Sequence, residues 1–289
     1  MDTEIFNNEI KVIELDSDTY ENRNGYDPSF LEQEVPRPTI SVNLIDDVVK
    51  LKNSNNEELK YTNFSVVMSK SRGLAFYTAV NIDGSELQQL ERKNDVWYYD
   101  PRIEKNFQYG PELYSNNDLD RGHLVRRLDP VWGSNFKDAN EDTFHFSNCS
   151  PQHKNLNQKT WLGLEDYILK NADVHDLKVN VFTGPVFNQN DLIYRGKYLI
   201  PSEFWKVVTI VKNDDDHSIS STAYLQTQKQ LIEDLKFVFG EYKTYQIHIT
   251  KIESITGLDF GNLRIFDPLS KRKGISPIKI INDEKDIIL

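Results

Sequence analysis

Apolar and polar positions change rhythm several times along this chain, and each change predicts an element. Up to about residue 24 the pattern is polar and only weakly periodic. Gly25-Tyr26-Asp27-Pro28 then reads as a turn that opens the ordered body, and Pro36 and Pro38 bound an extended entry segment. From Tyr61 the sequence YTNFSVVMSKSRGLAFYTAVNIDG carries two runs rich in Val, Phe, Tyr and Thr around a turn-prone Ser69–Gly73 stretch, which predicts a hairpin central to a sheet. Residues 96–99, 179–182, 206–212 and 245–251 predict further strands, and the spacing over 157–170 and 227–239 predicts helices. Strands and helices intermingle without a regular β-α-β alternation. The expected fold class is therefore α+β, one domain over 25–265 with a central mixed or antiparallel sheet flanked by helices. After Phe266 the chain turns irregular, and its end reads equally as a tail strand or a docking segment over 266–289.

Composition narrows the function classes. The chain has 289 residues, 38% hydrophobic and 27% charged, and no apolar run of membrane-spanning length. Its acidic first residues do not read as a secretory signal, so the expectation is a protein that stays in the cytoplasm, or one delivered as an effector, with no membrane partner. A single cysteine, Cys149, excludes an internal disulfide framework. The net charge of −11 is uneven: residues 1–34 hold ten acids against Lys11 and Arg23, a balance of −8, and the remainder of the chain carries only −3. Polyanion binding is thus not excluded for the body. Residues 1–24 read as an acidic arm, either a solvated tail or a segment that masks a basic groove.

The densest chemistry lies at Asp120-Arg121-Gly122-His123, followed by Leu124-Val125-Arg126-Arg127. Histidine is the natural general base near neutral pH, Arg offers a planar fork of donors for phosphate, and Gly lets a bulky group approach the backbone. About thirty residues on, Asn148-Cys149-Ser150-Pro151-Gln152 reads as a polar turn feeding an amphipathic helix that carries Asn157, Trp161 and Glu165. On a straight helix Asn157 and Glu165 stand about 12 Å apart along the axis and about 80° apart around it. Both cannot ligate one ion directly; if Asn157 touches a metal, Glu165 works through the ion's waters. An amide oxygen with several retained waters suits Mg²⁺. By position alone Asn157 reads better as a helix cap or first-turn residue than as a ligand. The other histidines show no metal-ligand spacing, and Cys149 has no base partner placed beside it by motif.

These segments, in this order, resemble the DNA/RNA non-specific endonucleases of the ββα-metal superfamily, the group that includes mitochondrial endonuclease G. The likeness spans roughly 25–265 and takes in DRGH, NCSPQ, LNQKTWLGLE, the YTNF…NIDG hairpin, Trp97-Tyr98-Tyr99-Asp100-Pro101-Arg102 and Thr183-Gly184-Pro185. It implies a ββα-metal active-site motif and a Mg²⁺-dependent, sugar-non-specific hydrolysis of DNA and RNA, with Mn²⁺ as a substitute ion. By the same resemblance His123 is the general base and Asn157 the direct metal ligand. Glu165 then holds the metal's waters, Arg121 binds phosphate, and Asn148 supports the site. Asp120 orients the loop or pairs with Arg126, and Arg92 matches an arginine that precedes the Trp-x-x-Asp-Pro segment. Arg102, Arg126, Arg127, Lys154, Lys159 and Lys206 are candidates to line a groove that tracks the sugar-phosphate backbone. Two alternatives stay open: a binding module that has lost catalysis, and a toxin or defence nuclease restrained by an inhibitor or regulatory protein. Relatives are often homodimers, but no stripe here identifies a dimer face.

Overall fold

Strands that are apolar on both sides need cover on both sides, and the sheet of this protein is built to that rule. The computed structural model describes residues 12–92, 95–154, 168, 176–212, 218–228, 243–271 and 278–281. Eight strands form one sheet in the order β16 (Ile278–Ile281), β14 (Lys243–Ile247), β13 (Ile219–Thr227), β12 (Glu203–Val211), β9 (Lys178–Val186), β5 (Ala75–Asp83), β4 (Phe64–Met68) and β3 (Leu59–Tyr61). Every neighbouring pair is antiparallel. Alternate residues of each strand feed different cores. Phe204 and Val208 of β12 pack with Val66, Val181, Leu124 and Val125, whereas Trp205 and Val207 pack with Phe182, Ile249, Ile252 and Phe260. Burying each such side chain contributes about 1.5–3 kcal/mol.

The predicted β4–β5 hairpin is present, and every residue of both strands is buried. It lies toward one edge of the sheet rather than at its centre, because β9 joins β5 and carries the ladder on through β12 to β16. The expected strand over 245–251 stops at Ile247. Helix α3 (Ile249–Thr256) starts two residues later and ends on Gly257, whose φ of 71° gives the left-handed cap that returns an N–H to Glu253 O. Two shorter helices, α1 (Pro111–Tyr114) and α2 (Phe136–Asp142), flank the region of the DRGH segment. The expected helix over 227–239 begins on Thr227, which ends β13, and 229–239 lie outside the described residues. Of the chain's end, 278–281 take the strand reading and form the outermost strand.

Three small pairings complete the frame: β2 (Thr39–Ile40) with β15 (Leu258–Asp259), β10 (Leu192–Tyr194) with β11 (Tyr198–Ile200), and β1 (Val12–Glu14) with β6 (Trp97–Tyr99). The last is parallel and sets Val12 opposite Trp97. Residues 12–24 are therefore laid on the body. Tyr20 is buried with its hydroxyl 2.5 Å from His145 Nε2, and the Arg102 guanidinium sits 3.9 Å above its ring. Arg23 pairs with Asp138 and Asp142, both at 2.9 Å. A solvated tail does not describe this stretch, and residues 1–11 lie outside the described set.

Candidate active site

The DRGH segment is a strand, β7 (Leu119–His123), paired antiparallel with β8 (Cys149–His153). Residues 149–152, expected as a turn, are therefore strand. The register sets His123 opposite Cys149, Gly122 opposite Ser150 and Asp120 opposite Gln152. Strand alternation then sends Arg121 and His123 to one face and Asp120 and Gly122 to the other.

On the first face the two chemical groups share an aromatic floor. The Trp97 ring lies 5.2 Å from the His123 ring and 4.8 Å from the Arg121 guanidinium carbon, and Phe144 meets the imidazole edge-on at 5.1 Å. Trp97, Phe144, Phe146, Leu119 and Cys149 form the cluster that holds the hairpin up. Trp97 and Phe144 gained no role from sequence; the only available signal was the position of Trp97 in the Trp-Tyr-Tyr-Asp-Pro-Arg run. Cys149 is fully buried and burial pushes its thiol up to about 12, so it offers no thiolate near neutrality.

His123 is half-buried, and Nε2 is its buried nitrogen, with no partner among the described residues, which leaves Nδ1 on the accessible side of the ring. Desolvation lowers its pKa from 6.5 to about 3, and the positive charges of Arg92, Arg121 and Arg127 act in the same direction against a raising contribution from Asp95. The imidazole is neutral at neutral pH, the state in which one ring nitrogen can accept a proton. Arg121 has no ion-pair partner among the described residues. Arg92 is exposed and pairs with Asp95 at 2.5 Å, close enough for its charge to reach the imidazole.

Asn148 is completely buried and its amide is fully engaged: Oδ1 accepts from Val125 N at 2.9 Å, and Nδ2 donates to Val125 O and Thr143 O, each at 2.9 Å. It clamps the chain leaving His123, and its burial keeps the amide from solvent. Asp120 is on the opposite face from His123, and its charge acts on Arg92 and His153. Gly122 serves a different purpose from the expected ligand approach. A Cβ there would stand 2.6 Å from Gln152 Cγ and closer still to Cδ and Oε1, so the missing side chain makes room for Gln152.

Several groove candidates are placed elsewhere. Arg102 is held by Asp100 at 2.7 Å and stacked on Tyr20, Lys206 is buried in the sheet with Nζ 3.0 Å from Thr183 Oγ1, and Lys154 pairs with Asp118 at 2.7 Å. Arg127 lies near enough for its charge to act on the His123 imidazole. Asn157, Lys159, Trp161 and Glu165 lie outside the described residues. Among the described residues no group of three or more His, Cys, Asp or Glu could hold a metal ion, and the Asn148 amide is spent on backbone.

Comparison with known proteins places this site in context. The chain is 42% identical over 265 residues to the uncharacterized protein y4fB of Sinorhizobium fredii, a match that covers 84% of this chain and 40% of that one. It is 25% identical over 202 residues to a nuclease of a Nostoc species, with 68% of this chain and 70% of that one covered. It is also 25% identical over 174 residues to a nuclease of Serratia marcescens, with 57% and 61% covered. The chain thus spans well under half of its rhizobial relative and about two thirds of these two nucleases. Among solved structures, a chain of the EndoG/EndoGI complex, a study of EndoG inhibition, superposes with a TM-score of 0.57 at 17% identity, covering 71% of this chain and 85% of that one, a likeness of fold. The DNA/RNA non-specific endonuclease family model matches residues 43–264, a span that holds the β7–β8 hairpin, its aromatic floor and most of the sheet, and the chain belongs to that family.

Proposed function

We propose that this chain is a metal-dependent endonuclease that hydrolyses phosphodiester bonds of DNA and RNA with little regard for sequence. The observation that carries the reading is His123 and Arg121 on one strand face over the same Trp97 ring, with Arg121 in no ion pair among the described residues and burial keeping the imidazole neutral. Arg121 binds the scissile phosphate and offsets the charge that builds on it as the phosphorus becomes crowded. His123 Nδ1 takes a proton from a water whose oxygen attacks phosphorus; the P–O3′ bond breaks, and O3′ takes up a proton from solvent, leaving a 5′-phosphate and a 3′-hydroxyl. Asn148 keeps the segment after His123 in register, and Trp97 fixes the spacing of the base and the cation. Asn157, helped by Glu165, would hold a divalent ion, Mg²⁺ or its substitute Mn²⁺, which when bound supplies Lewis-acid stabilisation of the phosphate and the departing oxygen. Contacts made to phosphate carry no base information, which accounts for the expected indifference to sequence and to sugar.

Purified protein incubated with supercoiled plasmid and with total RNA, in Mg²⁺, Mn²⁺ or EDTA, tests this reading. Degradation of both substrates with either ion and none with EDTA is expected; cleavage that survives EDTA, or none with any ion, contradicts it. A second reading adds restraint to the same chemistry, and one observation favours it: Val12 is paired with Trp97, so the described chain begins beside the site, directly after an acidic stretch of sequence. The EndoG fold neighbour was itself solved as an inhibited complex.

A further inference from the structure

Three guanidiniums, those of Arg92, Arg121 and Arg127, act on the His123 imidazole, and of these the reading above uses Arg121 alone. The third, Arg127, comes from the turn that follows β7, four residues beyond His123. Its Nη1 and Nη2 both donate to Leu90 O, each at 3.2 Å, so one edge of the guanidinium is tethered to the segment that carries Arg92 two residues later. That segment is itself pinned: Leu87 bridges to Trp132, and Gln88 N donates to Val131 O at 2.9 Å. Arg127 is thus a held group rather than a waving surface side chain.

Its electrostatic setting is unusual for a structural arginine. Among the described residues no carboxylate forms an ion pair with it, and its guanidinium donates only to a neutral carbonyl. Burial, Arg92 and Arg126 all disfavour its charge, with Asp95 opposing them, and Asp95 is already engaged by Arg92 at 2.5 Å. Positive charge is therefore accumulated here at a cost, and a guanidinium with two of its five donors fixed presents the remainder to an anion. Arg121, by contrast, rises from the strand face it shares with His123 and rests on Trp97.

We propose that Arg127 and Arg92 form a second phosphate subsite, which takes the phosphodiester of a nucleotide adjoining the scissile one while Arg121 serves the scissile phosphate itself. The inference rests on the nuclease reading. Its ligand is the mono-anionic phosphodiester of a polynucleotide, and its contribution is to affinity and register on the strand.

The test uses full-length His123→Ala protein, a fluorescent single-stranded oligodeoxynucleotide and a sodium chloride series. Each phosphate neutralised on a single strand contributes about 0.7 to the slope of log K against log salt. Adding Arg127→Ala is expected to lower that slope by roughly this amount, and Arg127→Lys, which keeps the charge, to preserve it. A merely structural loss would weaken binding at all salts without changing the slope. Should Arg127→Ala unfold the protein, Arg127→Gln keeps a donor for the Leu90 carbonyl and is expected to show the same reduced slope. An unchanged slope in a folded Arg127→Ala or Arg127→Gln protein overturns the subsite while leaving the nuclease reading standing. No salt-dependent binding by the His123→Ala protein with Arg127 intact overturns both.

Discussion

Gly122→Ala puts the tightest contact of the active-site hairpin under load. The new methyl would stand 2.6 Å from Gln152 Cγ and nearer still to Cδ and Oε1, whereas ordinary carbon contacts settle at about 3.5–4.0 Å. Roughly 1 Å must come from somewhere. Gln152 has no exposed surface, so its side chain cannot swing into solvent, and among the described residues neither end of its amide has a hydrogen-bond partner to hold it back. If Gln152 is trapped, β7 gives instead, and it carries Arg121 and His123 on either side of the substituted residue. Overpacking of this kind costs about 1–3 kcal/mol in stability. Displacement of the base by about 1 Å lowers turnover by about 10²-fold. The assay is a thermal melt and a plasmid-cleavage time course on Gly122→Ala, Gln152→Ala and the double variant. Shortening Gln152 frees the space, so the double variant is expected to be more active than Gly122→Ala alone and more stable than the two single effects would add up to. Unchanged melting and cleavage in Gly122→Ala, or purely additive effects in the pair, would refute the steric reasoning.

Three further outcomes follow from the same geometry. Because burial and three guanidiniums keep His123 neutral, the acid limb of kcat/KM lies below 6.5; since the unfolded chain binds a proton there that the native ring refuses until about 3, this group also lowers native stability as pH falls through that window, and an acid limb at 7 or above contradicts both. Asn148→Ala strips hydrogen bonds from Val125 and Thr143 and leaves buried backbone groups unsatisfied, for an expected loss of about 2–3 kcal/mol in denaturant melts; a change under about 0.5 kcal/mol would show that the clamp is idle. Removing residues 1–11, but not 12–24 with their Tyr20 and Arg23 anchors, is expected to raise cleavage at low salt and to have little effect at high salt if the acidic start screens the site. An unchanged low-salt rate removes the restrained reading.

Much of the site was legible because its chemistry is concentrated in contiguous runs. DRGH alternates along one strand, so two functional groups two residues apart necessarily share a face, and the doubly buried β4 and β5 announce themselves as apolar runs. What sequence missed depends on contacts between distant segments. Gly122 read as room for a ligand because Gln152, thirty residues away, is what fills it. Arg102 and Lys206 read as groove cations because charge normally seeks solvent, yet Asp100 and Thr183 hold them inside. The 245–251 stretch read as strand throughout, since its apolar residues fit either period, and the switch to helix at Ile249 is set by packing on the face of Trp205 and Val207. Residues 12–24 read as tail because their few apolar groups look insufficient until Tyr20 meets His145 and Arg102.

The central claim is that a neutral His123 activates water at a phosphodiester. Single-turnover cleavage of a labelled duplex by wild type and by His123→Ala, at saturating protein in Mg²⁺ and with binding measured on the same samples, tests it most directly. The account predicts at least a 10²-fold loss of the cleavage step with binding and melting temperature retained. Cleavage by His123→Ala at the wild-type rate would contradict it.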